Sequence, residues 1–310
     1  MKKLIFISVL IPLLVSCGSA SPSQSDRDYT QTHPTPKAFD PNRTQYTCAT
    51  WTPPPNTDVE AEQWYRAATL LHAKSWRRTV QELQDMVILY EAAASRGHYR
   101  AINNLYLLYT GTQGAMGDLF DQRPDRARKW LHYGLEKDWA MAYYWLFDAL
   151  YEGHAGYSYN PKLGLAYLQK AVELGVPLAQ YELARIYEKN LDNSKTAQLL
   201  FECSAKQGFS AAMDELSTFK WIDGKLNESL LLMHNAVRYG GEKGGESALL
   251  LTDVYSESKG ILQAFSATPA DPIREAAYHE LYVALKGTDT TSGNIFYTFP
   301  RLDEVLPLPP

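Results

Sequence analysis

The residues able to do chemistry are few in this chain of 310, and their spacing gives them little to do. Seven histidines, His33, His72, His98, His132, His154, His234 and His279, show no ligand spacing. No His-Glu-x-x-His pair would hold two imidazoles and a general base around one zinc ion. No Gly-x-Ser-x-Gly turn lifts a serine nucleophile, and no glycine-rich loop follows a strand to cradle phosphate. The three cysteines, Cys17, Cys48 and Cys203, contain no Cys-x-x-Cys pair. The expectation is a chain with no catalytic residue, no metal and no cofactor, working through a surface.

What would carry such a surface is a repeat. Turn residues Gly97, Asp138, Gly175 and Gly208 are each followed four positions later by alanine (Ala101, Ala142, Ala179, Ala212) and eight later by leucine (Leu105, Leu146, Leu183, Leu216). Upstream, Leu89, Trp130, Tyr167 and Leu200 lie eight residues before the anchors, and Tyr90, Leu131, Leu168 and Phe201 seven before. The anchors are 41, 37 and 33 residues apart, the period of stacked helical hairpins. The predicted fold is therefore an all-α solenoid of five or six hairpins.

The rest of the chain frames that stack. Met1-Lys2-Lys3, the apolar run Leu4 to Val15 and the sequence Leu14-Val15-Ser16-Cys17 read as a signal peptide over residues 1–16, too short to span a bilayer. Its end resembles a bacterial lipobox, with Cys17 taking the lipid; an ordinary cleaved leader with a chance cysteine is the plainer alternative. Gly18 in place of Asp points, by the same resemblance, to the periplasmic side of the outer membrane. Residues 17–58, rich in Ser, Pro and Thr and ending in Pro53-Pro54-Pro55, read as a lipidated tether spanning about 35 Å as coil. Tyr46, Cys48 and Trp51 suggest that its last ten residues dock. In an oxidising periplasm Cys48 and Cys203 form a bridge, or else Cys203 is a buried thiol and Cys48 is unpaired; spacing does not choose. The lost leader takes Lys2 and Lys3 with it and no acids, moving the net charge from −5 to −7. With no basic run longer than two residues, nucleic acid is excluded as a partner.

Residues 59–240 are predicted to hold the repeats. Helices are expected from Val59 to about Trp76, Val80 to Ser95 and Ala101 to Tyr109, with Asp125 capping the next and the pair Asn160-Pro161 starting another. Residues 241–310 are expected to form an atypical cap. Gly240-Gly241 and Gly244-Gly245 lengthen a turn there, helices follow at Ala248–Tyr255 and Pro272–Leu285, and a proline-rich tail is extended.

Positions two, six, nine and thirteen after each anchor lie opposite the Ala/Leu face and are unexpectedly aromatic. Tyr99, Tyr106, Tyr144, Phe147, Tyr151, Tyr181, Asp214 and Trp221 fall there. They are either a strip for binding protein, since Tyr and Trp anchor interfaces, or rings packed between neighbouring first helices. Asp214 and Glu188 in the strip favour a basic partner.

The run Lys170-Ala171-Val172-Glu173-Leu174-Gly175 followed by Ala179-Gln180-Tyr181-Glu182-Leu183-Ala184-Arg185-Ile186-Tyr187 resembles a Sel1-like repeat, a relative of the tetratricopeptide family, and Gly153 to Asn160 resembles that family's second loop. Asp138 in place of the turn glycine, and Lys220 in place of a tyrosine, depart from it. The resemblance covers roughly half the chain and implies a right-handed superhelix. The close, Phe299-Pro300 to Pro310, is similar to the end of a domain that follows such repeats in Gram-negative lipoproteins, some of them immunity proteins against phospholipase effectors of type VI secretion. That likeness implies a lipid-anchored inhibitor of a secreted phospholipase; the alternative it leaves is a scaffold organising envelope enzymes. His72-Ala73-Lys74 begins the His-x-Lys pattern of phospholipase D enzymes, but Thr79 stands where their Asp is needed and the motif is not repeated.

Overall fold

The computed structural model describes residues 33–72, 79–111, 123–258, 265 and 268–285. Among them are twelve helices and no strand. In chain order these are α1 Val59–His72, α2 Val80–Ser95, α3 Tyr99–Thr110, α4 Pro124–Glu136, α5 Ala140–Glu152, α6 Pro161–Glu173, α7 Pro177–Lys189, α8 Ser194–Ala205, α9 Ser210–Ile222, α10 Leu226–Tyr239, α11 Gly241–Tyr255 and α12 Pro272–Leu285. Each odd-numbered helix packs on the even-numbered one after it, giving six hairpins, and each hairpin leans on the next. The chain is an all-α solenoid. The leader, Cys17, Lys74 and the tail 286–310 lie outside the described residues.

The four repeating turns end their helices in the same way. The N–H groups of Gly97 and His98 donate to Ala94 and Ala93 (2.8 and 3.2 Å), and those of Asp138 and Trp139 donate to Leu135 and Gly134 (3.0 and 2.9 Å). Gly175 and Val176 donate to Val172 and Ala171 (2.9 and 3.1 Å), and Gly208 and Phe209 to Ala205 and Ser204 (2.9 and 3.4 Å). This pair of bonds satisfies the last carbonyls of a helix and requires a left-handed residue at its end. The φ values are +78°, +84° and +85° at the glycines and +53° at Asp138, which tolerates that region better than most side chains.

Helix starts are equally local. Thr79 and Glu82 form a reciprocal capping box on α2, and the side chains of His98, Asn160 and Asn193 accept from the third N–H of α3, α6 and α8. Asp125 does not cap α4. Pro124 takes the first helical position and leaves Arg123 at the cap with no side-chain bond, so Asp125 sits inside the first turn.

From α1 to α9 one continuous core lies between the hairpins. Ala101, Ala142, Ala179 and Ala212 have no exposed surface, and the leucines four residues on are at most 4% exposed. Alanine lets helices approach; each buried leucine stabilises by roughly 1.5–3 kcal/mol. A second cluster joins α10, α11 and α12 through Met233, Val237, Leu251, Val254 and Tyr278. Here one expectation fails. Gly244 and Gly245 do not lengthen a turn; they belong to α11, which begins at Gly241. A Cβ on Gly244 would stand 2.6 Å from the Ala236 carbonyl oxygen, so glycine is used for a close helix crossing, not for a bend.

The tether reading also needs a shorter boundary, because docking begins at about Phe39. Tyr46 is buried, Phe39 and Trp51 are partly so, and Cys48 is bonded to Cys203 with their Cα atoms 5.0 Å apart. Tyr187 Oη donates to the Arg43 carbonyl (2.7 Å), and Tyr46 Oη lies 2.9 Å from Tyr187 Oη. Arg43 pairs with Glu173. Further along, Gln180 Nε2 donates to the Ala49 carbonyl (3.1 Å) and the Trp51 N–H donates to Gln207 Oε1 (2.8 Å). The strap lies so close that a Cβ on Gly175 would meet the Ala49 carbonyl at 2.8 Å. Trp51 reaches as far as the Tyr99 ring, 5.7 Å away, so the strap ties the second hairpin to the third and fourth.

Candidate protein-binding cleft

The aromatic strip divides when its residues are placed. Tyr99 is buried between Trp51 and Trp139, with ring centroids 5.7 and 5.1 Å away. Tyr106 has no exposed surface, stacks on Trp145 at 5.0 Å and donates to the Trp145 carbonyl (2.9 Å). Tyr181 packs against Phe201 and Phe209 at 5.6 and 5.2 Å, and half-buried Trp221 against Phe265 at 5.6 Å. Successive first helices touch along this flank, and the rings fill the gap between them. For Tyr99, Tyr106 and Tyr181 the packing alternative therefore holds.

Asp214 is a joint as well. Its carboxylate accepts from Ser247 Oγ of α11 (2.8 Å) and lies 4.0 Å from Lys243 Nζ. Burial pushes this carboxyl up to about 6, against the opposing pull of Ser247 and Lys243. The folded chain thus holds the proton more tightly than the unfolded chain, where aspartate titrates near 4. Asp214's contribution to stability is full below about pH 4 and is lost as pH rises through about 6. Asp214→Asn should accordingly gain about 1–2 kcal/mol over the unaltered protein at pH 7.5 and about nothing at pH 4, read from urea unfolding at each pH.

Tyr144, Phe147 and Tyr151 differ in part: Phe147 is 6% exposed and belongs to the core, but Tyr144 and Tyr151 on either side of it are only half-buried. They lie one turn apart on α5, with neighbouring ring centroids 5.7 and 5.2 Å apart, and form one wall of a cleft of about 300 Å³. The facing wall is α7, which contributes Glu182, Arg185, Ile186 and Lys189. Asp148 and Glu152 of α5 and Asn190 complete the lining. Asp148 was the signal available in the sequence: it is the only charged residue in α5 before Glu152. Glu182, Arg185 and Lys189 carried no such mark, since the pairing of α5 with α7 across the cleft is a fact of stacking.

Carboxylates outnumber cations here. Burial raises the Glu182 carboxyl, Arg185 opposes the rise from 3.6 Å, and Asp148 adds to it. Burial, then Glu182 and Asp148, push the Tyr144 hydroxyl well above its ordinary value. Asp148 is held by His154 Nε2 at 2.9 Å. Just beyond, burial and Glu215 raise Glu188, and Tyr181 Oη donates to Glu215 across to α9 (3.4 Å). The other histidines have structural partners: His98 caps α3 and meets Glu62 at 3.0 Å, and His234 meets Tyr278 at 2.7 Å. Among the described residues no three His, Cys, Asp or Glu side chains gather as metal ligands, and no helix is long and apolar enough to cross a membrane.

Fold and cleft together define a stacked-hairpin solenoid that carries a cleft between its first helices α5 and α7. Solved structures share this architecture along most of the chain. A Pseudomonas aeruginosa protein, PA5086, matches with a TM-score of 0.65 at 26% identity, over 86% of this chain and 95% of its own. The immunity protein Pa5087 of Pseudomonas aeruginosa matches with 0.63 at 23%, over 86% and 95%. The immunity protein PA5088 of the same organism matches with 0.61 at 23%, over 83% and 91%. At these identities the shared property is the fold. No protein-family profile matches the chain, and no curated protein does.

Proposed function

We propose that the chain is an immunity protein: a lipoprotein anchored through Cys17 on the periplasmic side of the outer membrane that binds and neutralises a phospholipase effector of type VI secretion. Inhibition of that kind asks for no reacting group here, only for a rigid flank that keeps lipid from the enzyme's mouth. The observation that carries the reading is the cleft on the aromatic flank, where half-buried Tyr144 and Tyr151 stand beside three carboxylates and two cations. The likeness of the fold to Pa5087 and PA5088, both described as immunity proteins, supports it over more than four-fifths of the chain.

The test is survival. Cells secreting into the periplasm a phospholipase encoded beside this gene should die alone and live when this protein is co-secreted. Equal death with and without it contradicts the proposal. Recovery from periplasm of several weakly held envelope enzymes in place of one tight partner would favour the scaffold reading.

A further inference from the structure

We infer that the cleft between α5 and α7 receives one arginine side chain of the protein partner. The inference rests on the binding reading and specifies its chemistry. A cleft of about 300 Å³ has the volume of roughly ten waters, enough for one long side chain and its solvent. Half-buried Tyr144 and Tyr151 of α5 line the cleft, and on such rings a guanidinium stacks better than an ammonium does. Beside them are Asp148 and Glu182, two carboxylates able to take a planar fork.

The cleft's own basic groups meet this need only in part. Arg185 pairs with Glu182 at 3.6 Å, beyond hydrogen-bond length, and its guanidinium sits 5.7 Å over the Tyr181 ring. Lys189 is exposed at the end of α7. Against these two stand Asp148, Glu152 and Glu182 in the lining and Glu188 and Glu215 beside it, on a chain of net charge −5. His154 takes one oxygen of Asp148 and so leaves the other for a ligand. An incoming guanidinium would relieve the mutual repulsion of Asp148 and Glu182 and cover apolar ring surface in one step, which is the pattern of an arginine anchor at an interface.

The test uses Nα-acetyl-arginine methylamide as the probe, with the isosteric but uncharged citrulline analogue as control. Chemical shifts of the Ile186 methyl groups are followed in the mature protein. A saturable shift with the arginine probe is expected, at least tenfold weaker with the citrulline analogue and at least tenfold weaker in a Glu182→Gln, Asp148→Asn double variant. Both substitutions keep shape, and an unchanged thermal midpoint will establish that the variant is folded. No saturable shift, or equal binding of the citrulline analogue, overturns the inference and leaves the immunity proposal to the survival assay. Failure of the unaltered protein to protect cells, with the arginine shift intact, overturns the immunity proposal and not the cleft's ligand chemistry.

Discussion

Replacing both Cys48 and Cys203 with alanine should lower the free energy of unfolding by about 3–5 kcal/mol, one of the largest losses any two substitutions in this chain can cause. The bond closes a loop of 155 residues, so its loss returns a great deal of conformational freedom to the unfolded chain. It also pins the strap on which Arg43, Ala49 and Trp51 make their contacts with three hairpins. Because Cys48 is exposed and Cys203 is only 1% exposed, Cys48→Ala alone should produce most of the loss, leaving a small buried thiol behind. Thermal unfolding followed by circular dichroism, with and without reductant, checks this. A fall below about 1 kcal/mol would mean that the strap is held by its hydrogen bonds and packing alone.

Tyr106→Ala and Tyr144→Ala should part company in opposite senses. Tyr106 is fully enclosed, stacked on Trp145 and hydrogen-bonded to its carbonyl, so its truncation leaves a cavity and removes a buried hydrogen bond; a cost of about 3–5 kcal/mol follows. Tyr144 is half-buried at the cleft wall, and its loss should cost about 1 kcal/mol of stability. Partner binding reverses the order. Tyr144→Ala together with Phe147→Ala should weaken it by about 2 kcal/mol, close to thirtyfold, whereas Tyr106 touches nothing a partner could reach. Paired urea melts and titration calorimetry separate the two effects. Equal stability losses at Tyr106 and Tyr144 would mean that the whole strip is core.

That division shows where a linear pattern stops being informative. The repeat was legible because each unit repeats two local demands, a left-handed residue to finish one helix and a small residue four positions later to let the next approach. Both are written within a dozen residues. The resemblance to a Sel1-like repeat carries the same information. The strip was half legible: periodicity gave Tyr106 and Tyr144 the same face, but which rings are enclosed depends on the neighbouring hairpin, and only Trp145 stacks over Tyr106. Gly244 misled because close helix approach and turn formation both call for glycine. Lys220, a departure from the family pattern, turns out to pair with Glu228 at 3.0 Å across α9 and α10, a contact that no spacing within one helix announces.

The central claim is that a protein partner is gripped at the α5–α7 cleft. Amide hydrogen exchange of the protein, alone and in complex with its protein partner, tests it most directly. Slowed exchange concentrated in the C-terminal halves of α5 and α7, around Phe147–Glu152 and Glu182–Asn190, is the expected result. Unchanged exchange there, with protection confined to the even-numbered helices or to the last hairpin, would contradict it.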